Sequence, residues 1–275
     1  MDPLLAALIM GVTQGLTEFL PVSSSGHLIL VPWLFGIRDP FITSLAFSVI
    51  LHIGTLVALL IYFAGDWLRL VPAFFGAMRD RSTGTDDRRL AVLIAIATLP
   101  ALVVGFLLRD LEDVIREQIG LVAVMLVVGA AILFIAERSG RRRLLAVDLT
   151  PVKAFAIGAA QALALIPGIS RSGISISAGL FAGLRREDAA RFSFLLATPV
   201  TAAAAAYEVL QVVRGGVEGV EVGPLAVGLV ASFMFGVIAI SGLLRFLRTQ
   251  STDIFVAYRV VFAAFVFVVW SLMLR

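Results

Sequence analysis

Apolar stretches dominate the chain, and their lengths set the first expectation. Residues 41–64, 90–108, 119–136, 189–213, 224–244 and 254–273 carry few charges and are each close to a bilayer span. A helix needs about 20 apolar residues to cross a hydrocarbon core of about 30 Å. Two other regions behave differently. The pairs 3–20 with 27–36, and 152–166 with 171–183, are broken by Pro21 and Ser23–Gly26 in the first case and by Pro167–Gly168 in the second. Their members are too short to cross alone, since about 14–16 residues rise only about 21–24 Å. Alternation of the strand type is absent, which argues against a membrane β-barrel.

The loops test this layout. Basic residues concentrate in 66–89, 138–153, 185–191 and 245–248. All four fall on one side of the membrane, as cytoplasmic loops should, only if each short pair enters and leaves by the same face. The expected architecture is therefore an all-α integral membrane protein with six transmembrane helices and two re-entrant helical hairpins. The first hairpin dips in from outside and the second from the cytoplasm. The acidic connectors 109–118 and 214–223 then lie outside, and 66–89 reads as a hydrophilic loop.

The two halves also resemble one another. GVTQGLTEFLPVSSSG (11–26) aligns with GAAQALALIPGISRSG (158–173), pairing Gln14 with Gln161, Ser23 with Ser170, Ser25 with Ser172 and Gly26 with Gly173. Each half holds one hairpin and three spans, an odd number of crossings, so the copies are inverted. The chain reads as one membrane domain, 1–275, with repeats over about 1–137 and 152–275. Inverted repeats with broken helices place a site near the midplane, where the halves meet.

Composition agrees. The chain has 275 residues, 60% hydrophobic and 15% charged, with mean hydropathy +1.03, against about 25% charged for a soluble domain. The net charge of +3 comes from juxtamembrane arginines, so nucleic acid is not an expected partner. No cysteine is present, which excludes disulfides and thiolate chemistry. The start, MDPLLAALIM, lacks the basic segment of a cleaved signal peptide. An apolar exterior allows a homodimer.

Chemistry concentrates at the two breaks. The first gathers Gln14, Glu18, Ser23, Ser24, Ser25 and His27; Gln14 and Glu18, four apart, share a helix face. The second gathers Ser170, Arg171, Ser172 and Ser175 beside Pro167–Gly168. Ionisable groups inside a membrane are costly and mark functional sites. Arg171 needs an anionic partner, either Glu18 or a substrate. With the serine hydroxyls and a helix N-terminus it makes a phosphate cradle. Glu18, with Gln14, suits a hard divalent cation held through oxygen. His27 is the candidate general acid or base, and either Ser24 or a water is the nucleophile. The ensemble points to phosphoryl transfer or phosphate hydrolysis on a lipid whose tail stays in the bilayer. His52 reads as a packing histidine or a cavity-lining one. A transporter of a polyprenyl phosphate is the rival reading. A lipid kinase is disfavoured, because no glycine-rich phosphate loop is present.

QGLTEFLPVSSSGH resembles the (E/Q)xxxE-plus-PVSSxGH signature of the bacterial undecaprenyl-diphosphatase, or bacitracin-resistance, family, and PGISRSGIS is similar to its PGxSRSxxT signature. The likeness covers essentially the whole chain. It implies hydrolysis of undecaprenyl diphosphate to undecaprenyl phosphate and inorganic phosphate, a divalent cation (Mg²⁺ or Ca²⁺), a site facing the periplasm from the cytoplasmic membrane, and bacitracin tolerance, with bacitracin met only indirectly through the substrate. It assigns Gln14 and Glu18 to the metal. Glu18, Ser24, His27 and Arg171 become the catalytic group, and Ser23, Ser25, Ser170, Arg171, Ser172 and Ser175 hold the phosphate. Two positions depart from the signatures: Gln14 is the less acidic option, and Ser175 stands where the pattern has Thr.

Overall fold

The computed structural model describes residues 1–107, 115, 118–215 and 221–273. The connectors 109–118 and 214–223 therefore fall largely outside the described residues. Among the described residues lie eleven α-helices: α1 (Pro3–Phe19), α2 (Ser24–Phe35), α3 (Leu45–Tyr62), α4 (Ala64–Asp80), α5 (Asp86–Leu107), α6 (Ile119–Ser139), α7 (Pro151–Gln161), α8 (Arg171–Phe181), α9 (Arg186–Gly215), α10 (Val222–Leu247) and α11 (Asp253–Met273). The chain is an all-α integral membrane protein. Helices α5, α6, α9, α10 and α11 are each long and apolar enough to span, and α3 with α4 makes a sixth candidate that bends by 79°.

That bend corrects the expectation of a hydrophilic loop at 66–89. Residues 64–80 are helical. Trp67, Leu70, Phe74 and Ala77 recur at helical spacing and face the core, while Leu68, Val71, Phe75 and Met78 form a second, exposed apolar stripe. Scattered charges such as Asp66, Arg69 and Arg79 hide this double periodicity in the linear sequence. Asp66 ties the bend to α9, accepting from Arg191 at 2.6 Å and from Arg69 at 2.9 Å.

The two short pairs break for the same local reason. A residue before proline is pushed out of the helical region. Leu20, before Pro21, has ψ 141°, and Ile166, before Pro167, has ψ 111°. Asp2 caps α1 through Leu4 N–H at 2.8 Å. The second helix of the first pair starts at Ser24, earlier than the expected residue 27, so Ser24 and Ser25 sit in its first turn.

Small residues set the packing. A Cβ on Gly11 would stand 2.7 Å from the Gly228 carbonyl, and one on Gly15 would stand 2.7 Å from that of Ser232. Helices α1 and α10 therefore meet backbone to backbone, as small residues permit in membranes. In the other pair, Gly158 of α7 lies closer still to the Ala97 carbonyl of α5. The first helix of each short pair thus rests on a span from the other half of the chain.

Candidate active site

The breaks meet. Ser23 Oγ accepts from its own helix, at Gly26 N (3.3 Å), and from the other break, at Gly168 N (3.2 Å). Ser172 Oγ donates back to the Leu20 carbonyl at 3.0 Å. The two turns share a backbone. Ser23 has φ 79°, ψ 92° and Ser170 has φ 80°, ψ 118°, and each caps the helix that follows, through Gly26 N and Gly173 N. A positive φ is uncommon for serine, so two such caps at aligned positions are a shared device. Each places a helix N-terminus, with first-turn N–H groups that have no acceptor within the helix, at the junction.

The reactive groups gather around one carboxylate. Glu18 Oε2 accepts from Ser24 Oγ at 2.6 Å and from Gln14 Nε2 at 3.2 Å. Its other oxygen lies 4.0 Å from Arg171 Nη1, which also donates to Thr201 Oγ1 at 2.6 Å. Glu18 is buried, while the Arg171 side chain keeps 27% exposure, so its guanidinium can reach an incoming anion. Gln14 is fully buried, and its Oε1 has no donor among the described residues.

The remaining predicted residues lie around this cluster. Ser23 and Ser170 are caps. Ser25 lies 3.4 Å from Ser23 Oγ, and Ser170 lies 3.2 Å from Ser172. Ser175 donates to the Arg171 carbonyl at 2.7 Å and lies 2.5 Å from Ser193 of α9, bracing α8. His27 is buried and held at both ring nitrogens. Nδ1 meets the Ser23 carbonyl at 2.7 Å and Nε2 the Tyr258 hydroxyl at 2.7 Å. Its ring stacks on Phe262 with centroids 4.6 Å apart.

Sequence reasoning passed over the largest buried polar side chain. Arg259 of α11 is fully buried. It donates to Leu126 O (3.0 Å), Pro21 O (3.2 Å), Gly168 O (2.6 Å) and Ile169 O (3.1 Å). It thereby clamps both breaks to α6, and no described carboxylate pairs with it. Its signal was present, a lone arginine inside the apolar span 254–273, but residues near a span's end ordinarily reach the interface. Thr55, Thr201 and Tyr258 gave no such signal; their partners are distant in sequence.

With this geometry in place, the chain can be set beside known proteins. The family profile of the bacitracin resistance protein BacA matches residues 7–265. The chain belongs to the BacA family. Similar relatives include the undecaprenyl-diphosphatase of Desulforudis audaxviator, 43% identical over 262 residues and covering 95% of this chain and 96% of that protein. That of Pelobacter propionicus is 43% identical over 259 residues, covering 94% of both chains. That of Thermodesulfovibrio yellowstonii is 39% identical over 271 residues, covering 98% of both. In this BacA-family chain both matched signatures lie at the junction. Gln14, Glu18 and Ser24 come from one and Arg171 from the other. The arrangement offers a hydroxyl already bonded to a carboxylate, opposite a cation: the parts for transfer of a phosphoryl group.

Proposed function

We propose that this BacA-family chain hydrolyses undecaprenyl diphosphate to undecaprenyl phosphate and inorganic phosphate. This recycles the carrier lipid of cell-wall synthesis. Less diphosphate then remains for bacitracin to engage, which gives tolerance through the substrate. The observation that carries the reading is the 2.6 Å bond from Ser24 Oγ to Glu18, with Arg171 4.0 Å from the same carboxylate. Relatives at 43% identity bear the name of this activity.

In this reading Glu18 takes the Ser24 proton as Oγ attacks the terminal phosphorus. The bridging P–O bond breaks and undecaprenyl phosphate leaves. Arg171 turns from Glu18 toward the transferring group and offsets its charge. The N-termini of α2 and α8 direct N–H groups to the same place. Ser23, Ser25, Ser170, Ser172 and Ser175 hold the phosphate cradle in shape. A divalent cation, Mg²⁺ or Ca²⁺, fits the donors: Glu18 and the unpartnered Oε1 of Gln14 would hold it, with phosphate and water oxygens completing the shell. When bound, such an ion neutralises diphosphate charge. We place the protein in the bacterial cytoplasmic membrane with the junction open to the periplasm, and read repeats 1–137 and 152–275 as inverted copies. A homodimer through its apolar exterior is the expected assembly.

The test is phosphate release from farnesyl or undecaprenyl diphosphate in detergent with Mg²⁺, followed by acid quench in a single turnover. Release with a trapped phosphoserine, lost in Ser24→Ala, is expected. Release without phosphoserine transfers the attack to a water held by Glu18. Lipid binding without release overturns the reading in favour of transport.

A further inference from the structure

Helix α4 occupies a length of chain that a membrane crossing does not need. Helix α3, Leu45–Tyr62, has 18 residues and rises about 27 Å, close to the thickness of a hydrocarbon core. The chain then bends by 79° into the 17 residues of α4.

Ion pairs place α4 at one pole of the bundle. At that pole the end of α6 meets the starts of α9 and α11, through Arg186 Nε to Glu137 at 3.0 Å and Arg138 to Asp253 at 2.8 Å. The end of α10 joins them, with Arg248 2.9 Å from Glu187. Segment 146–149 brings in the start of α5. There Ala146 N–H donates to Asp188 at 3.3 Å, and Arg89 donates to the Leu149 carbonyl at 3.2 Å. Both ends of α4 are tied to this level. Asp66 accepts from Arg191, near the start of α9, and Asp80 accepts from Arg88, in the first turn of α5, each at 2.6 Å. Asp66 and Asp80 stand about 21 Å apart along the helix axis. A helix running through the bundle would carry one of them far from the pole, so α4 lies across it.

At 3.6 residues per turn α4 has three faces. Trp67, Leu70, Phe74 and Ala77 pack on the core. Asp66, Arg69 and Asp80 share a polar face. Leu68, Val71, Phe75 and Met78 lie almost opposite that polar face and are exposed. The stripe continues the exposed Leu60 and Ile61 in the last turn of α3, on the lipid-facing surface of that span. The charges of α4 are Asp66, Arg69, Arg79 and Asp80, which sum to zero. Each is paired: Arg69 with Asp66 and Asp87, and Asp80 with Arg79 and Arg88.

We infer that α4 is an interfacial helix whose partner is the acyl chains of the leaflet that meets this pole. The exposed stripe enters the chains, the polar face is turned to water, and α3 crosses the membrane alone. Helices of this kind bury their apolar face about 5–10 Å into the boundary between headgroups and chains. Because α4 has no net charge, apolar burial and not headgroup charge holds it there.

The chain has no cysteine, so single positions can be labelled with a thiol-reactive bimane in the whole protein, reconstituted in phosphatidylcholine nanodiscs. Leu68→Cys, Val71→Cys, Phe75→Cys and Met78→Cys report on the stripe, and Arg69→Cys on the polar face. Lipids brominated close to the headgroup should quench the four stripe labels equally. They should do so at least about twofold more than lipids brominated at the chain ends, as shallow insertion requires. Aqueous iodide should quench the Arg69→Cys label at least about twofold more than any stripe label. Phosphatidylglycerol in place of phosphatidylcholine should change none of this. Three outcomes overturn the inference. A graded depth from Leu68 to Met78, about 15 Å apart along the helix, means that α4 crosses with α3. Stripe labels that bromine does not quench mean that water or protein, such as a second copy of the chain, covers the face. Quenching confined to phosphatidylglycerol means that headgroup charge holds the helix. If one variant fails to fold, the remaining stripe positions still give the depth comparison.

Discussion

The turns before α2 and α8 are built alike and equipped differently. In both, a residue forced extended by proline ends a helix, and a serine at φ near 80° caps the next one through a glycine N–H. At the following position the first turn has Ser24 and the second has Arg171. One backbone shape thus presents a hydroxyl at one break and a guanidinium at the other. Ser24 is bonded to Glu18 of its own pair, whereas Arg171 meets that carboxylate only across the junction. The lesson is that the cap geometry is shared, and the two breaks differ in the single residue that follows it.

The sharpest way to break this division of labour is to remove one side's charge. Glu18→Ala and Arg171→Ala should each reduce phosphate release by at least about 10³-fold, on the scale of losing a preorganised charge partner, with unchanged elution in detergent. Retained turnover in either variant would show that the turns do not act as one site. Next in size, EDTA should stop release and added Mg²⁺ or Ca²⁺ should restore it, since the ion that Glu18 and Gln14 would hold offsets the diphosphate charge. Activity that persists in EDTA removes the metal from the first turn's role. Arg259→Met addresses the clamp common to both turns. It strips donors from four buried carbonyls, for a cost on the order of 3 kcal/mol, to be read as a lower unfolding temperature in detergent. An unchanged temperature would mean that the turns hold each other without it. The smallest effect separates the caps themselves. Ser170→Ala should cost about 1 kcal/mol, the usual cap value. Ser23→Ala should cost more, because its Oγ also accepts from Gly168 N; equal costs would make the turns energetically identical.

How legible these features were follows from where their partners lie. The membrane class, five of the span candidates and both breaks were readable, because apolar length and proline act locally. The meeting of Glu18 with Arg171 was readable in outline, since a guanidinium within a short apolar pair calls for an anion. Helix α4 was missed because charge along 66–80 masked two apolar faces that only a bend can use at once. Arg259 was missed because its partners are backbone carbonyls, which every residue carries and no sequence pattern marks. The constraint on His27 depends on Tyr258 and Phe262, more than 200 residues away, and no spacing rule connects them.

The glycine contacts between α1 and α10 carry a consequence for how the molecule is made. Helix α1 precedes α10 along the chain, so it leaves the ribosome before α10 does. Until α10 arrives, Gly11 and Gly15 face no partner, and the Arg259 clamp, carried on α11, comes later still. Until then, the turn bearing Ser24 exists without the surfaces that shape it. Assembly is gated by the C-terminal helices: a chain that terminates before α11 should insert into the membrane, yet leave its opening hairpin unmoored.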